Sequence, residues 1–349
     1  MAAVQTPAQL LGVRFALGIA EAGFSPAILF LISSWYRKHE QSKRFIVYLS
    51  AAILSGAFGS IVAGAITARM ENVGGISSWR WLFIIEGVAT VGLALIAPYL
   101  LLDYPSITMK FTPEERSFAV ERLREDDITS CFGTGPVVSH SRALLNAITD
   151  WRIYLLCLGY MTIVGTMALC YFYPTMIAGL GYTATKAQFM TAPLFLAAFV
   201  IAIPLCIFAD RVPPYRPVFV AVLLILGAIF CALAAGVQSY TPRYIFLCLI
   251  NSAIWAANPL ALSFASTTLG AVDPETRAIG LALVNGMGNL AQVYGAYLWP
   301  SRDAPGYIMG FSVFAGMLVI GCGVYLASFW ALNKHPFTNK PTTNSEMRI

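Results

Sequence analysis

Two ionisable residues lie seven positions apart inside a long apolar run near the start of the chain. Arg14 and Glu21 are the only charged residues of the stretch RFALGIAEAGFSPA. Seven residues make almost two turns of α-helix, so both side chains project from one face, about 10 Å apart along the axis. A guanidinium can hold a carboxylate through two N–H donors, and a carboxyl group in a low-dielectric cavity can exchange a proton near neutral pH. The pair therefore indicates an anion site at Arg14 and a proton site at Glu21; the alternative is that both are structural ion-pair partners of neighbouring helices.

Uncharged polar side chains form two further stripes within apolar runs. Each stripe has members at positions i, i+4 and i+7: Asn251, Trp255 and Asn258 in one run, and Asn285, Asn289 and Gln292 in the other. This spacing places each set on one helix face, which avoids lipid and turns toward another helix or an aqueous cavity. We predict that Asn258, Asn285 and Asn289 contact the substrate, and hydrogen bonding between packed helices is the alternative.

Asp210 and Arg211 form a second candidate pair, at the end of an apolar run. An acid and a base at a helix end can lock a closed gate through a charge relay. They can equally cap the helix, and the residue types do not decide between the gate and the cap.

The residues argue against most other chemistries. None of the seven cysteines has CxxC spacing and all three histidines lie in polar segments, so neither a metal site nor a disulfide framework is indicated. The sequence has no GxSxG, HExxH or GxGD motif and no Walker glycine pattern. We therefore expect no enzymatic activity, no cofactor and no nucleotide-driven pump.

The elements that must position these residues are long apolar helices. The 349 residues are 58% hydrophobic and only 11% charged, with a mean hydropathy of +0.70. Runs of more than about 20 residues are long enough to span roughly 30 Å of hydrocarbon. The runs are 8–34, 45–69, 79–102, 152–178, 187–209, 216–237, 243–269, 277–300 and 307–332. Backbone in lipid must satisfy its own hydrogen bonds, so we predict an all-α integral membrane protein with about nine transmembrane helices.

The distribution of positive charge predicts the orientation. If the segment YRKHEQSKR after the first run is cytoplasmic, most of the 22 Lys and Arg residues fall on the cytoplasmic side. The positive-inside rule then places the C-terminus in the cytoplasm. The net charge of +5 follows from this bias, and a nucleic-acid partner is not needed to explain it.

One long polar segment divides the chain. Thr112, Pro113 and two glutamates after them form an N-terminal helix signal, which predicts a short amphipathic helix at the cytoplasmic face. The predicted units are three membrane helices in 1–102, a cytoplasmic loop in 103–151, a six-helix lobe in 152–332 and a cytoplasmic tail in 333–349.

Several stretches together resemble one transporter family. They are RFALGIAEAGFSPA, WRWLFIIEG, LLDYP, TPEERSFAVERLRED, FADR, TRAIGLALVNGMGNL and WPSRDAPGYIMGF. In order and spacing they are similar to the anion:cation symporter branch of the major facilitator superfamily, in the form found in fungal allantoate, nicotinate and pantothenate permeases. FADR lacks the glycine usual in that motif. In this branch the residue matching Arg14 is implicated in substrate binding and the residue matching Glu21 in proton coupling.

The resemblance implies proton-coupled uptake of a small organic anion by a monomer in the plasma membrane. The chain begins where the fourth of twelve helices would begin in such a carrier, so we expect the first three helices to be missing. The alternative function is therefore that of a truncated fragment that does not transport.

Overall fold

The computed structural model describes residues 1–105, 108–124, 139–237, 239–300, 303–304 and 306–337. Every regular element in these residues is helical, as α-helix or short 3-10 turn. The α-helices are α1 (Pro7–Glu21), α2 (Phe24–Trp35), α3 (Lys38–Arg69), α4 (Ser78–Leu100), α5 (Pro113–Arg124), α6 (His140–Thr149), α7 (Trp151–Met167), α8 (Tyr173–Gly179), α9 (Ala184–Asp210), α10 (Arg216–Gly236), α11 (Tyr240–Thr268), α12 (Pro274–Gly295) and α13 (Ile308–Lys334). The predicted all-α class is confirmed.

Seven helical stretches of the described residues are long and apolar enough to cross a membrane. They are Arg44–Arg69, Ser78–Leu100, Trp151–Gly179, Ala184–Ala209, Pro213–Gly236, Tyr240–Thr268 and Ile308–Lys334. The two other predicted runs are also helical, as α1 with α2 and as α12, but they do not meet this criterion. The count of nine transmembrane helices therefore stays a prediction.

The first predicted run, 8–34, is two helices and not one. α1 ends at Glu21 and α2 begins at Phe24, although Ala22 (φ −55°, ψ −34°) and Gly23 (φ −80°, ψ −15°) keep helical dihedral angles. Proline at position 26 has no amide hydrogen to donate to the carbonyl four residues earlier, which is that of Ala22. The break is therefore a local interruption of the hydrogen-bond ladder, directly after the predicted proton site.

The packed core lies mainly in the second half of the chain. α10 packs against α11 and α13, while α7 packs against α12 and α13. Large side chains that are fully buried in this bundle include Tyr173, Leu224, Phe311 and Phe314. By contrast, α1 and α4 contain no buried residue.

Helix α3 connects the N-terminal helices to this bundle by packing along α9 and touching α11. Two glycines of α3 make room for aromatic rings of α9. A Cβ atom added at Gly56 would lie 2.6 Å from Cε1 of Phe195, and one at Gly64 would lie 3.0 Å from Cε1 of Phe189. The close approach of the two helices therefore depends on these glycines.

Two short helices lie in the long polar segment between α4 and α7. In α5 the Thr112 amide donates to Oε2 of Glu115 at 2.9 Å and the Glu115 amide donates to Oγ1 of Thr112 at 3.3 Å, a reciprocal cap with Pro113 as the first helical residue. Arg122 of α5 forms an ion pair with Glu40 of α3. The second helix, α6, was not predicted from the sequence.

Asp150 joins α6 to α7 and holds the start of α7 in place. Its Oδ1 accepts the Arg152 amide at 2.9 Å, and its Oδ2 accepts Nη2 of Arg152 at 2.6 Å. Arg152 also donates to the Pro336 carbonyl at 2.8 Å and lies over the Phe337 ring at 3.8 Å. Burial raises the pKa of Asp150, but the hydrogen bonds and charge of Arg152 outweigh it, and the pKa lies below its ordinary value.

Two glycines of α12, two positions apart, should respond differently to alanine. A Cβ atom at Gly288 would lie 2.3 Å from Cδ1 of Tyr160, a buried ring whose hydroxyl is hydrogen-bonded, whereas one at Gly286 would have no neighbour within 4 Å. We expect Gly288→Ala to lower the free energy of unfolding by about 1–3 kcal/mol through overpacking. Gly286→Ala is the control and should be neutral or stabilising by about 0.5–1 kcal/mol. Equal apparent melting temperatures of the two variants in detergent would contradict this packing.

The Asp150 carboxylate should stabilise the protein in a pH-dependent way. Because its folded pKa is lowered, the stabilisation is present above the unfolded pKa of about 3.9 and is lost as the pH falls through the folded value. We expect Asp150→Asn to destabilise by about 1 kcal/mol from pH 5 to 8, since asparagine keeps the cap but loses the charge. The difference between the melting curves of both proteins should start to shrink as the pH falls below about 3.9 and vanish below the folded pKa of Asp150, and Asp103→Asn, at an exposed aspartate, is the control. A difference that persists in acid would argue against the charge.

Candidate functional site

Arg14 lies on the exposed surface of α1, near an aromatic ring of α4. Its guanidinium carbon is 5.8 Å from the centroid of Phe83 in α4. It also interacts electrostatically with the hydroxyl of Tyr171, which belongs to the 3-10 turn Ala168–Phe172 between α7 and α8. Arg14, the residue predicted to bind an anion, therefore interacts with the 3-10 turn that interrupts the spanning stretch Trp151–Gly179.

A ladder of hydrogen bonds begins at this tyrosine and runs along α12. The Tyr171 hydroxyl donates to Oε1 of Gln292 at 3.1 Å, and Nε2 of Gln292 donates to Oδ1 of Asn289 at 3.1 Å. Nδ2 of Asn289 then donates to the Asn285 carbonyl at 2.9 Å. We call these four residues the polar ladder. Two of the three predicted asparagines, Asn285 and Asn289, thus belong to this ladder, and Arg14 interacts electrostatically with the tyrosine at its other end.

The polar ladder is open and not buried. Tyr171 is 71% exposed although it lies within the spanning stretch Trp151–Gly179, and Asn289 is also exposed. Polar side chains at this depth are costly against lipid, so they face an aqueous cavity or protein. An arginine next to neutral donors and acceptors can hold an anion at one end and hydrogen-bond the rest of a small molecule at the other.

The surroundings of Glu21 differ from those of Arg14. It is the last residue of α1 and is exposed, and it makes no hydrogen bond or ion pair with the side chains that the structure describes. It is seven residues from Arg14 on the same helix. Its role in proton coupling stays a prediction.

Asn258, the third predicted asparagine, is only 5% exposed and lies inside the helix bundle. Its Oδ1 accepts the Tyr160 hydroxyl at 3.2 Å, and its Nδ2 donates to the sulfur of Met167 at 2.9 Å. Asn251 is similarly buried and accepts the Tyr173 hydroxyl at 3.0 Å. The stripe on α11 therefore holds α7 and α8 in place, and substrate contact through Asn258 stays a prediction.

The predicted gate lies at the end of α9. Asp210 is the last residue of that helix, but its side chain lies outside what the structure describes. Arg211 follows as the C-cap residue and is exposed. Both interpretations of Asp210 and Arg211, as a gate and as a helix cap, therefore stay predictions.

In the described part of the chain, no three His, Cys, Asp or Glu side chains come close enough together to hold a metal ion.

The important residue that the sequence did not predict is Tyr171. Its signal in the sequence is weak: an aromatic residue three positions before Pro174, which interrupts a spanning helix.

Comparison with known proteins identifies the family. The family model described as Major Facilitator Superfamily matches residues 1–296. The curated protein MFS transporter prlL, from Fungal sp. (strain NRRL 50135), is 37% identical over 202 residues, which are 57% of this chain and 39% of that protein. A putative tartrate transporter of Agrobacterium vitis is 30% identical over 327 residues, covering 92% of this chain and 69% of that protein.

The fold is also similar to a solved structure. The proton:xylose symporter XylE bound to 6-bromo-6-deoxy-D-glucose superposes with a TM-score of 0.63 at 16% identity, covering 88% of this chain and 66% of that chain. At this identity the similarity concerns the fold alone. The chain spans less than two thirds of the length of several curated relatives that it matches.

The two kinds of asparagine should differ in their effect on stability. Asn258→Ala leaves the buried Tyr160 hydroxyl without its acceptor, so we expect a loss of about 1–3 kcal/mol in the free energy of unfolding. Asn289→Ala is the matched control in the open ladder, where water can replace the lost partner, and should change stability by less than about 0.5 kcal/mol. Thermal unfolding in detergent measures both. A larger loss for Asn289 than for Asn258 would contradict these assignments.

Proposed function

The chain belongs to the major facilitator superfamily, and from this premise we propose that it carries a small organic anion across a membrane together with protons. Membership makes it a multi-pass membrane protein of a transporter superfamily and not an enzyme. The finer statement, on the anion and the proton, is our proposal. Alternating access is the corresponding mechanism, with the site open to one side at a time.

The observation that carries the proposal is the electrostatic interaction of Arg14 with Tyr171, at one end of the polar ladder. Arginine stays charged at every relevant pH and can bind a carboxylate with two parallel hydrogen bonds. Asn285, Asn289 and Gln292 supply neutral donors and acceptors that bind without a second charge. A carboxylate at Arg14 would also offset the cost of the arginine at membrane depth, about 2.5–3.5 kcal/mol on insertion scales.

Glu21 supplies the proposed link to protons. An ionised Glu21 competes with a substrate anion for the positive charge of Arg14, and a protonated one does not. Binding of the anion and of a proton would then favour each other. The named function of the Agrobacterium vitis relative, putative tartrate transport, supports an organic acid as the cargo.

Five further features belong to the same proposal. We assign the chain to the anion:cation symporter branch, in which it acts as a monomer in the plasma membrane. The C-terminus lies in the cytoplasm, as the distribution of Lys and Arg indicates. Asp210 and Arg211 then mark a cytoplasmic gate at the end of α9.

Uptake by lipid vesicles containing the full chain tests the proposal. With acid outside and neutral buffer inside, radiolabelled tartrate should accumulate above its external concentration, and a protonophore should abolish this. We expect Arg14→Ala to reduce tartrate binding and uptake roughly ten- to hundredfold, because hydrogen bonds to a charged group contribute about 1.5–3 kcal/mol. Arg69→Ala, at an exposed arginine ending α3, is the matched control. Accumulation independent of the pH gradient, or unchanged in Arg14→Ala, would contradict the proposal.

Glu21→Gln separates the proton from the anion. The variant should lose accumulation driven by the pH gradient but keep exchange of internal for external tartrate, because exchange requires no net proton movement. Glu86→Gln, at an exposed glutamate of α4, is the control and should behave as the unchanged protein. Gradient-driven uptake at the normal rate in Glu21→Gln would show that another group carries the proton.

A further inference from the structure

We propose that Tyr171 and Gln292 bind a neutral hydroxyl or amide group of the substrate, next to the anion held by Arg14. This inference rests on the transport function proposed above and deepens it by naming a second recognition element. It favours a hydroxylated or amide-bearing acid over a plain carboxylate as the cargo.

The first argument is the position of the Tyr171 side chain. It is 71% exposed, yet its hydroxyl is held in place by the hydrogen bond to Gln292 at 3.1 Å. The 3-10 turn Ala168–Phe172 directs this side chain away from the core, whereas Tyr173, two residues later, is fully buried. A fixed hydroxyl on an open surface is pre-organised to meet a ligand.

The second argument is the direction of the hydrogen bonds. Each bond in the polar ladder is donated in the same sense, from Tyr171 through Gln292 and Asn289 toward Asn285. The Tyr171 oxygen therefore keeps its acceptor lone pairs, and Gln292 keeps a second N–H and a second lone pair on Oε1. This end of the ladder offers donors and acceptors together.

The chemistry of the matching group follows from this inventory. A carboxylate only accepts hydrogen bonds, so it could use the second N–H of Gln292 but would leave the lone pairs of Tyr171 and Gln292 without a donor. A hydroxyl or an amide both donates and accepts, and it satisfies both residues. A site with hydrogen-bonding groups of this kind discriminates strongly against an analogue that lacks the matching group.

The third argument is the neighbouring charge. Arg14, on a different helix, interacts electrostatically with the Tyr171 hydroxyl, so an anion held by the guanidinium would act on the same end of the ladder. The neutral group should therefore be part of the same small molecule as the carboxylate. Hydroxy acids satisfy this requirement.

Tartrate and succinate provide a matched pair of probes, since they have the same carbon chain and charge and differ in two hydroxyl groups. Equilibrium binding of each is measured by calorimetry with the full chain in detergent. We expect the unchanged protein to bind tartrate about tenfold or more tightly than succinate. Tyr171→Phe and Gln292→Leu should each bring tartrate to within about twofold of succinate and leave succinate unchanged.

Tyr297→Phe is the matched control, because Tyr297 is 80% exposed and lies just beyond the end of α12. It should retain the preference for tartrate. Melting temperatures of all variants check that the ladder substitutions leave the fold intact, as expected for side chains that are not buried.

The outcomes separate this inference from the proposed function. Equal affinity for tartrate and succinate, lost in Arg14→Ala, would overturn the inference and leave anion binding at Arg14 standing. Equal weakening of both anions by Tyr171→Phe would also overturn it, because the hydroxyl would then not act on the neutral group. Binding of neither anion, or binding unaffected by Arg14→Ala, would overturn both.

Discussion

A polar group surrounded by hydrocarbon must have a partner, and this constraint organises the whole molecule. It makes the described spanning segments helical, because a helix satisfies its own backbone. It applies to side chains as well. Asn258 has Tyr160 and Met167 as partners inside the bundle, whereas Asn289 has Gln292 and Asn285 along its own helix. The same rule that holds the helices together therefore leaves one set of amides accessible to a ligand.

The sequence predicted the parts of this arrangement that depend on a single helix. Apolar runs give the helices, and the spacing of Asn285, Asn289 and Gln292 gives their common face. Asn251 and Asn258 have the same spacing but are buried, because spacing fixes the face of a helix and not the neighbour that covers it. That difference is set by packing between helices, which no local pattern contains.

The positions of the helix interruptions were also beyond the sequence pattern. Two of them lie close to the candidate site: the break after Glu21 and the 3-10 turn Ala168–Phe172. The prolines at positions 26 and 174 explain the two interruptions, because proline cannot donate a backbone hydrogen bond. A proline does not always interrupt a spanning helix, however: Pro259 lies inside the continuous helix α11. The interruption at Ala168–Phe172 turns Tyr171 outward. Arg14, with which Tyr171 interacts, is more than 150 residues away along the chain, so no local pattern predicts the interaction.

The contact between α3 and α9 has a mechanical consequence. Phe195 and Phe189 lie against Gly56 and Gly64, so each ring occupies the space that a side chain at the glycine would need. Contacts of this kind are held by dispersion forces, which depend weakly on direction. A displacement of one helix along the other would move each ring off its glycine toward residues that carry a Cβ atom. This interface thus fixes the register of the two helices while it keeps the two parts of the molecule in contact.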